Sequence, residues 1–384
     1  MLRFQFDSPP RILCERGAAL RLAPLLQGKG CAHAFVVTDP GLVRAGMVDA
    51  PVAALRDAGL RVTVYDQVEA DPPEHVVLAA TAAARAAGAD GVIGLGGGSS
   101  LDTAKLVALL AATPQALADI YGPNRARGPR LSLIQVPTTA GTGSEATPTS
   151  VVSTPDHQKR GVISPLLLPD VAVLDATLTL GLPPAPTAMT GVDAMVHAIE
   201  AYTTRHLKNP VSDALAVRAL QLLHTHLGRA VAQGNDIEAR EGMLLGSALA
   251  GMAFANAPVA AIHALAHPLG SHFHMPHGLA NALVMVPVLR FNRSVVGHRY
   301  AELARALDPV CLGQDDAAAA DAFIALMEQH VAQAPIPQRL RDVGIAEADV
   351  PTLARAAMDV RRLLDNNARD VSESEALALY SESF

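Results

Sequence analysis

Five of the chain's fourteen histidines, His263, His267, His272, His274 and His277, fall within fifteen positions of the stretch IHALAHPLGSHFHMPHG. A lone histidine in an apolar segment is ordinarily a core residue with both ring nitrogens hydrogen-bonded. Five together call for another explanation. His263 and His267 are four apart, the spacing of one helix face, and His277 follows after Pro268, Gly270 and Pro276, which are expected to turn the chain. Upstream, GVDAMVHAIEAY sets Asp193 and His197 at the same spacing. Taken alone, that pair reads as a helix-start aspartate near a polar histidine. One carboxylate and three imidazoles together make a compact divalent site for iron or zinc, with room for an exogenous oxygen.

A second chemistry is written in glycine. GVIGLGGGSSLDTAK, residues 91–105, orders a strand, a glycine turn and a helix start. A helix N-terminus offers free N–H groups and partial positive charge, and glycines let a pyrophosphate approach the backbone. The glycines run G-x-G-G-G-S instead of G-x-G-x-x-G, and they follow the third strand-like run, not the first. A tight strand-to-helix turn would use the same residues. A second loop, PTTAGTGSE at 137–145, follows the next buried strand, and two such loops at the carboxyl ends of neighbouring strands are where a nucleotide lies. Asp39 closes an earlier strand in AFVVTDPG. There it makes an Asp-Pro turn, or it accepts from a ribose 2′-hydroxyl and repels a 2′-phosphate, which favours NAD over NADP.

The elements that must position these groups change character along the chain. AFVVT (34–38), RVTVYD (61–66), GVIGLG (91–96), LSLIQV (131–136) and VAVLD (171–175) are strand-like, and helical patterns such as VDAPVAALRDAGL, EHVVLAATAAARAAGA and LDTAKLVALLAAT lie between several of them. Strands alternating with helices imply a parallel sheet covered on both faces. After LPPAPTAMTG come helical segments almost alone: VDAMVHAIEAYTT, PVSDALAVRALQLLHTHL, AREGMLLGSALAGMAFA, HRYAELARAL and DAFIALMEQHV. The Pro/Gly-rich stretch 181–191 is read as the boundary. The fold class is therefore α/β plus all-α: an N-terminal nucleotide-binding parallel-sheet domain over 1–182, and a C-terminal helical metal and substrate domain over 183–384.

Composition narrows the partners. The 384 residues are 50% hydrophobic and 17% charged, enough for two domains with large cores. A formal charge of −7 and the lack of a basic patch exclude a nucleic-acid partner. MLRFQFDSPP has no signal-peptide h-region, so a cytoplasmic location is expected. Cys14, Cys31 and Cys311 are scattered and read as reduced thiols. From Gly242 to Leu289 there is no Asp, Glu, Lys or Arg. Its first part is long enough for a membrane span, but Asn256, Pro258 and the glycines interrupt it and interfacial anchors are missing. Helices packed in a deep core, and no membrane partner, are expected.

With GLGGGSSLDTAK, PTTAGTGSEAT, GVDAMVHAIEAY, NPVSDALAVRAL, HALAHPLGSHFHMPHGLANA and RLLDNNARDVSESEALALY in this order, the chain closely resembles the iron-containing alcohol dehydrogenase family over nearly its whole length. The resemblance implies a dehydroquinate-synthase-like architecture with the active site in a cleft between the domains. It also implies a metal-dependent oxidoreductase interconverting an alcohol and an aldehyde or ketone with NAD(H); the preference for NAD(H) over NADP(H) rests on Asp39. Carried over by position, the metal ligands are Asp193, His197, His263 and His277, holding Fe2+ with Zn2+ as the alternative. His267 becomes a proton-relay or substrate-orienting residue. The nucleotide contacts fall on Gly97, Gly98, Ser99, Asp102, Thr138, Thr139, Thr142 and Lys159, to which the strand-end reading adds Asp39, while His272 and His274 are bystanders. The implied partners are a small alcohol or aldehyde and a second copy of the chain in a homo-oligomer, taken as a dimer. Glycerol dehydrogenase-like and maleylacetate reductase-like activities are the alternatives within the superfamily, and a non-enzymatic metal-binding protein is the alternative outside it.

Overall fold

The computed structural model describes residues 3–156 and 158–384. The chain divides into two compact units, one spanning Asp7–Gly181 and the other Leu182–Phe384, joined in the second case by the first described residues up to Phe6.

The first unit carries β1 (Ile12–Cys14), β2 (His33–Val37), β3 (Arg61–Tyr65), β4 (Gly91–Gly96), β5 (Gly122–Pro123), β6 (Ser132–Pro137), β7 (Thr149–Ser153), β8 (Lys159–Ile163) and β9 (Val171–Leu174). Its helices are α1 (Ala23–Gln27), α2 (Pro40–Arg44), α3 (Asp49–Asp57), α4 (Glu74–Ala87) and α5 (Gly98–Ala112). Six strands form one sheet in the order β1-β9-β6-β4-β2-β3, every pair parallel. The reason is in the side chains. β2 and β4 are buried along their whole length, and successive residues face opposite cores. Val36, Ile93 and Ile134 pack with Leu22, Leu26 and Leu55 on one face; Phe35, Val92 and Leu133 pack with Ala80, Ala104 and Val107 on the other. Strands buried on both faces read as continuous apolar runs, which is why these were visible in the sequence. The chain leaves β2 for β3 on one side and later returns to place β4 on the other. The switch point of the sheet therefore falls between β2 and β4. The sequence reading missed β1, β5, and the antiparallel pair β7–β8, which with β5 forms a separate small sheet.

The second unit is helical: α6 (Pro184–Thr203), α7 (Pro210–Ala232), α8 (Ile237–Asn256), α9 (Ala261–Phe273), α10 (His277–Leu307), α11 (Asp316–Gln333), α12 (Val350–Met358), α13 (Arg361–Leu364) and α14 (Glu373–Glu382). Side-chain caps start several of them, from Asn209 at α7, Asp236 at α8 and Ser372 at α14. Residues 184–191 of the boundary stretch form the first two turns of α6, because proline in the first turn lacks only an N–H that has no helical partner there. One local expectation is corrected. Pro268 and Gly270 lie inside α9, and the turn is made after them by left-handed His274 and by Pro276. The charge-free stretch forms α8, α9 and the start of α10. α8 and α9 are bent 104° from one another; among the described residues α10 is the single helix long and apolar enough by itself to cross a membrane, and 72% of its apolar window is buried within the protein.

Gly94 sits in β4 beneath α5, where a Cβ would come 2.3 Å from Gln135 Oε1 and 2.8 Å from the Ala104 Cβ. Gly94→Ala is expected to overpack this layer and lower stability by ~1–3 kcal/mol, read as an earlier urea transition of the α/β unit.

Candidate metal centre and nucleotide loops

In the α/β unit the glycine loop leaves β4 and enters α5. Gly97 is the N-cap, and no side chain caps the helix, so its first N–H groups are available to an external acceptor. A Cβ on Gly98 would lie 2.8 Å from Thr142 Cγ2, and one on Gly97 would lie 3.6 Å from Thr139. The two loops thus touch at a glycine because nothing larger fits. Thr138 N donates to Gly96 O across the same edge at 3.0 Å. Ser99 Oγ accepts from Asp71 N at 3.1 Å, and Asp71 Oδ1 in turn holds Lys159 Nζ at 2.8 Å. That chain of contacts brings Lys159 toward the glycine loop. Asp39, at the end of neighbouring β2, uses Oδ1 to cap α2 through Gly41 N and Leu42 N at 2.8 and 3.1 Å.

Beneath the loops lies a buried charge cluster that the sequence reading did not single out. Lys105, fully buried, donates to Ser144 Oγ at 2.8 Å, Thr147 Oγ1 at 3.0 Å and Thr149 O at 2.6 Å. Asp102 accepts from Ser144 Oγ at 2.6 Å and from Val151 N at 2.8 Å. Asp102 therefore ties α5 to the second loop and to β7. Burial pulls Lys105 down to about 8 against the pull of Asp102 and Glu145. It also pushes Asp102 above the usual carboxylate range and Glu145 up to about 7. The signal was present in LDTAK, where the lysine follows the aspartate by three.

The helical unit brings Asp193, His197, His263 and His277 together, with one ligand atom from each inside a group no more than 4.8 Å across. The Nε2 atoms of His197, His263 and His277 lie 3.9, 4.0 and 3.8 Å from Asp193 Oδ1. Ligands at ~2.1 Å from one ion stand roughly 3–4 Å apart, so the spacing suits a divalent cation. Three helices supply the set: α6 the first two, α9 the third, and α10 the fourth from its first residue. Asn281, one turn into α10, extends Nδ2 among them, 2.6 Å from Asp193 Oδ1, 3.3 Å from His263 Nε2 and 3.2 Å from His277 Nε2. Its own Oδ1 is buried with no partner. One amide group facing three acceptors is the arrangement expected where a cation belongs. Burial opposes ionisation of Asp193, yet the three imidazoles, His197 foremost, and the Asn281 amide hold it below the usual carboxylate range.

The approach of α10 to α6 is fixed by Gly278, where a Cβ would come 2.4 Å from Met189 O. Phe254 stacks on His197 with ring centroids 4.4 Å apart. The Tyr380 hydroxyl donates to Leu265 O at 2.6 Å, holding α9 one turn before Pro268. His267 is outside the group of four; its ring lies 6.3 Å from that of His277 and is half-buried. His272 and His274 are exposed. The residue missed here is Glu200, buried on α6 and hydrogen-bonded to His263 Nδ1 at 2.7 Å.

Glu145 binds its proton near pH 7 in the folded chain against 4.5 for a free side chain. The folded state is the tighter proton binder, so stability from this group falls as pH rises from 4.5 through 7. Glu145→Gln stays neutral, and its thermal midpoint is expected to exceed that of the parent above pH 7, with the gap closing toward pH 4.5. A pH series of melting curves checks this.

Two family models match the chain: iron-containing alcohol dehydrogenase over residues 9–176, and the C-terminal part of the Fe-containing alcohol dehydrogenase family over 187–384. The probable alcohol dehydrogenase EutG of Escherichia coli (strain K12) is 40% identical over 377 residues, covering 98% of this chain and 93% of that protein. The crystal structure of a 1,3-propanediol oxidoreductase superposes with a TM-score of 0.96 at 35% identity, covering 100% of both chains. Sulfoacetaldehyde reductase from Bifidobacterium kashiwanohense in complex with NAD+ superposes at 0.90 with 28% identity, covering 100% of this chain and 99% of that one.

Proposed function

The chain belongs to the iron-containing alcohol dehydrogenase family, and from that premise we propose that Asp193, His197, His263 and His277 hold Fe2+ while the loops around Gly97 and Thr142 hold NAD(H). The protein is a metal-dependent oxidoreductase that interconverts an alcohol and a carbonyl compound. The observation that carries the site reading is the convergence of one carboxylate and three imidazoles within 4.8 Å. When bound, the cation supplies Lewis acidity toward a substrate oxygen, and the nicotinamide supplies or accepts the hydride.

The chain's own residues do the positioning. Gly97, Gly98 and Ser99 open an uncapped helix end toward the pyrophosphate, and Thr138, Thr139 and Thr142 wall it from β6. Asp102 and the buried Lys105 keep these two loops in register. Lys159 stands ready at the rim, paired with Asp71. His267 lies close enough to His277 to orient the substrate or move a proton to its oxygen. The half-buried Phe254 gives the neighbourhood of His197 an apolar wall, which fits a small alcohol or aldehyde with a carbon chain. Ferrous iron is preferred from the family; zinc suits the same donors. Activity on a panel of short aldehydes with NADH, run on protein reconstituted separately with iron and with zinc, tests the reading.

His277→Ala is expected to abolish metal binding and turnover while leaving NADH affinity intact. His267→Ala should keep its metal and lose kcat by roughly 10²–10⁴-fold, the range for general acid–base work. Metal analysis beside kcat separates the two, and metal lost from the His267 variant refutes its role.

Asp39 stands at the end of β2 beside the switch point, and only one of its oxygens caps α2 in the bonds above. Its negative charge favours a ribose 2′-hydroxyl over a 2′-phosphate. Asp39→Gly is expected to narrow the NADH/NADPH ratio of kcat/KM; equal use of both by the parent protein would remove this role.

A further inference from the structure

Glu200 follows Asp193 by seven residues and His197 by three, on the same face of α6, and is only 3% exposed. Its carboxylate receives three N–H groups from the start of α9. Ile262 N donates to Oε1 at 2.7 Å, and Ala260 N and His263 Nδ1 donate to Oε2 at 2.8 and 2.7 Å. Two requirements meet in this one group. α9 has an alanine at its N-cap and no capping side chain of its own, so its first free N–H groups are satisfied from another helix. The carboxylate oxygens already serve as acceptors for two backbone N–H groups, and the His263 ring meets Oε2 as a third donor, with its proton on Nδ1. That leaves the lone pair on Nε2, the atom 4.0 Å from Asp193 Oδ1 within the group of four.

We propose that Glu200 is a positioning residue for the metal. It selects the tautomer and ring angle of His263 through the carboxylate that also starts the helix carrying it. Starting the helix and arming its ligand are then the same event. This inference rests on the reading of Asp193, His197, His263 and His277 as the ligand set. Glutamine at position 200 separates the two tasks. With its amide oxygen accepting from Ile262 N, the NH2 group at the Oε2 position gives up the bond to Ala260 N and donates to Nδ1, which favours the tautomer with its proton on Nε2 and no lone pair for the ion.

The test uses the full chain and Zn2+ alone, in competition with a chromophoric chelator. Glu200→Gln is expected to keep the circular dichroism of the parent and to bind Zn2+ more weakly by about 10–100-fold, the usual effect of losing such a partner. Imidazole 15N spectra of the metal-free proteins should show the His263 proton on Nδ1 in the parent and on Nε2 in the variant. In a His263→Ala background the same substitution should cost no further affinity. Parental Zn2+ affinity in Glu200→Gln, or an equal loss with His263 already removed, overturns the proposal. Should the glutamine variant fail to fold, Glu200→Asp, which keeps two accepting oxygens on a shorter arm, carries the same comparison: a loss that disappears in the His263→Ala background supports the proposal, and one that persists overturns it. Failure of the ligand reading looks different, since Zn2+ affinity would then survive His277→Ala.

Discussion

Two carboxylates, Asp193 and Glu200, are buried in a unit whose stretch 242–289 contains no charged residue of the Asp, Glu, Lys and Arg types. Among the described residues, no lysine or arginine donates a hydrogen bond to either. A buried carboxylate is tolerated only when N–H groups or a cation compensate it. Glu200 is compensated by three N–H groups. Asp193 receives the Asn281 amide and faces three imidazoles. The rest of the helical unit follows from keeping those groups in place. Gly278 admits α10 against the backbone of α6, Glu200 joins α6 to α9, and Tyr380 braces α9 from α14.

The α/β unit solves a related problem with a cation of its own. Lys105 is enclosed by hydroxyls and a carbonyl, with Asp102 3.7 Å away. A buried ammonium is expensive unless all its donors are used, and here three bonds reach three successive pieces of chain after β6. The second loop is thereby anchored from below, while its upper side touches Gly98. The glycine-containing loop gains a fixed floor without having any bulky residue in the loop itself.

How much of this was legible depended on range. The strand–glycine–helix order at 91–105 and the paired spacings of Asp193/His197 and His263/His267 are local signals, and the structure places all of them on the elements expected. β1 is three residues long, and β7 and β8 mix polar with apolar residues, so neither offered a periodic run. The stretch 181–191 contains the division between the units at Gly181/Leu182, and its prolines also open α6, where a first-turn proline costs no helical bond. Pro268 signals a turn in the sequence, whereas it lies inside α9, a buried helix whose packing partners are distant in sequence. Glu200 stood in the quoted motif throughout; its role depends on Ala260, Ile262 and His263, more than fifty residues away, and no spacing rule reaches that far.

The hydrogen bonds described around the two glycine loops come from residues between Asp39 and Lys159, and those among the proposed metal ligands from residues between Asp193 and Asn281. In evolutionary terms the two groups are separately inheritable: changes confined to three helices can alter the group of four without replacing a residue of either glycine loop.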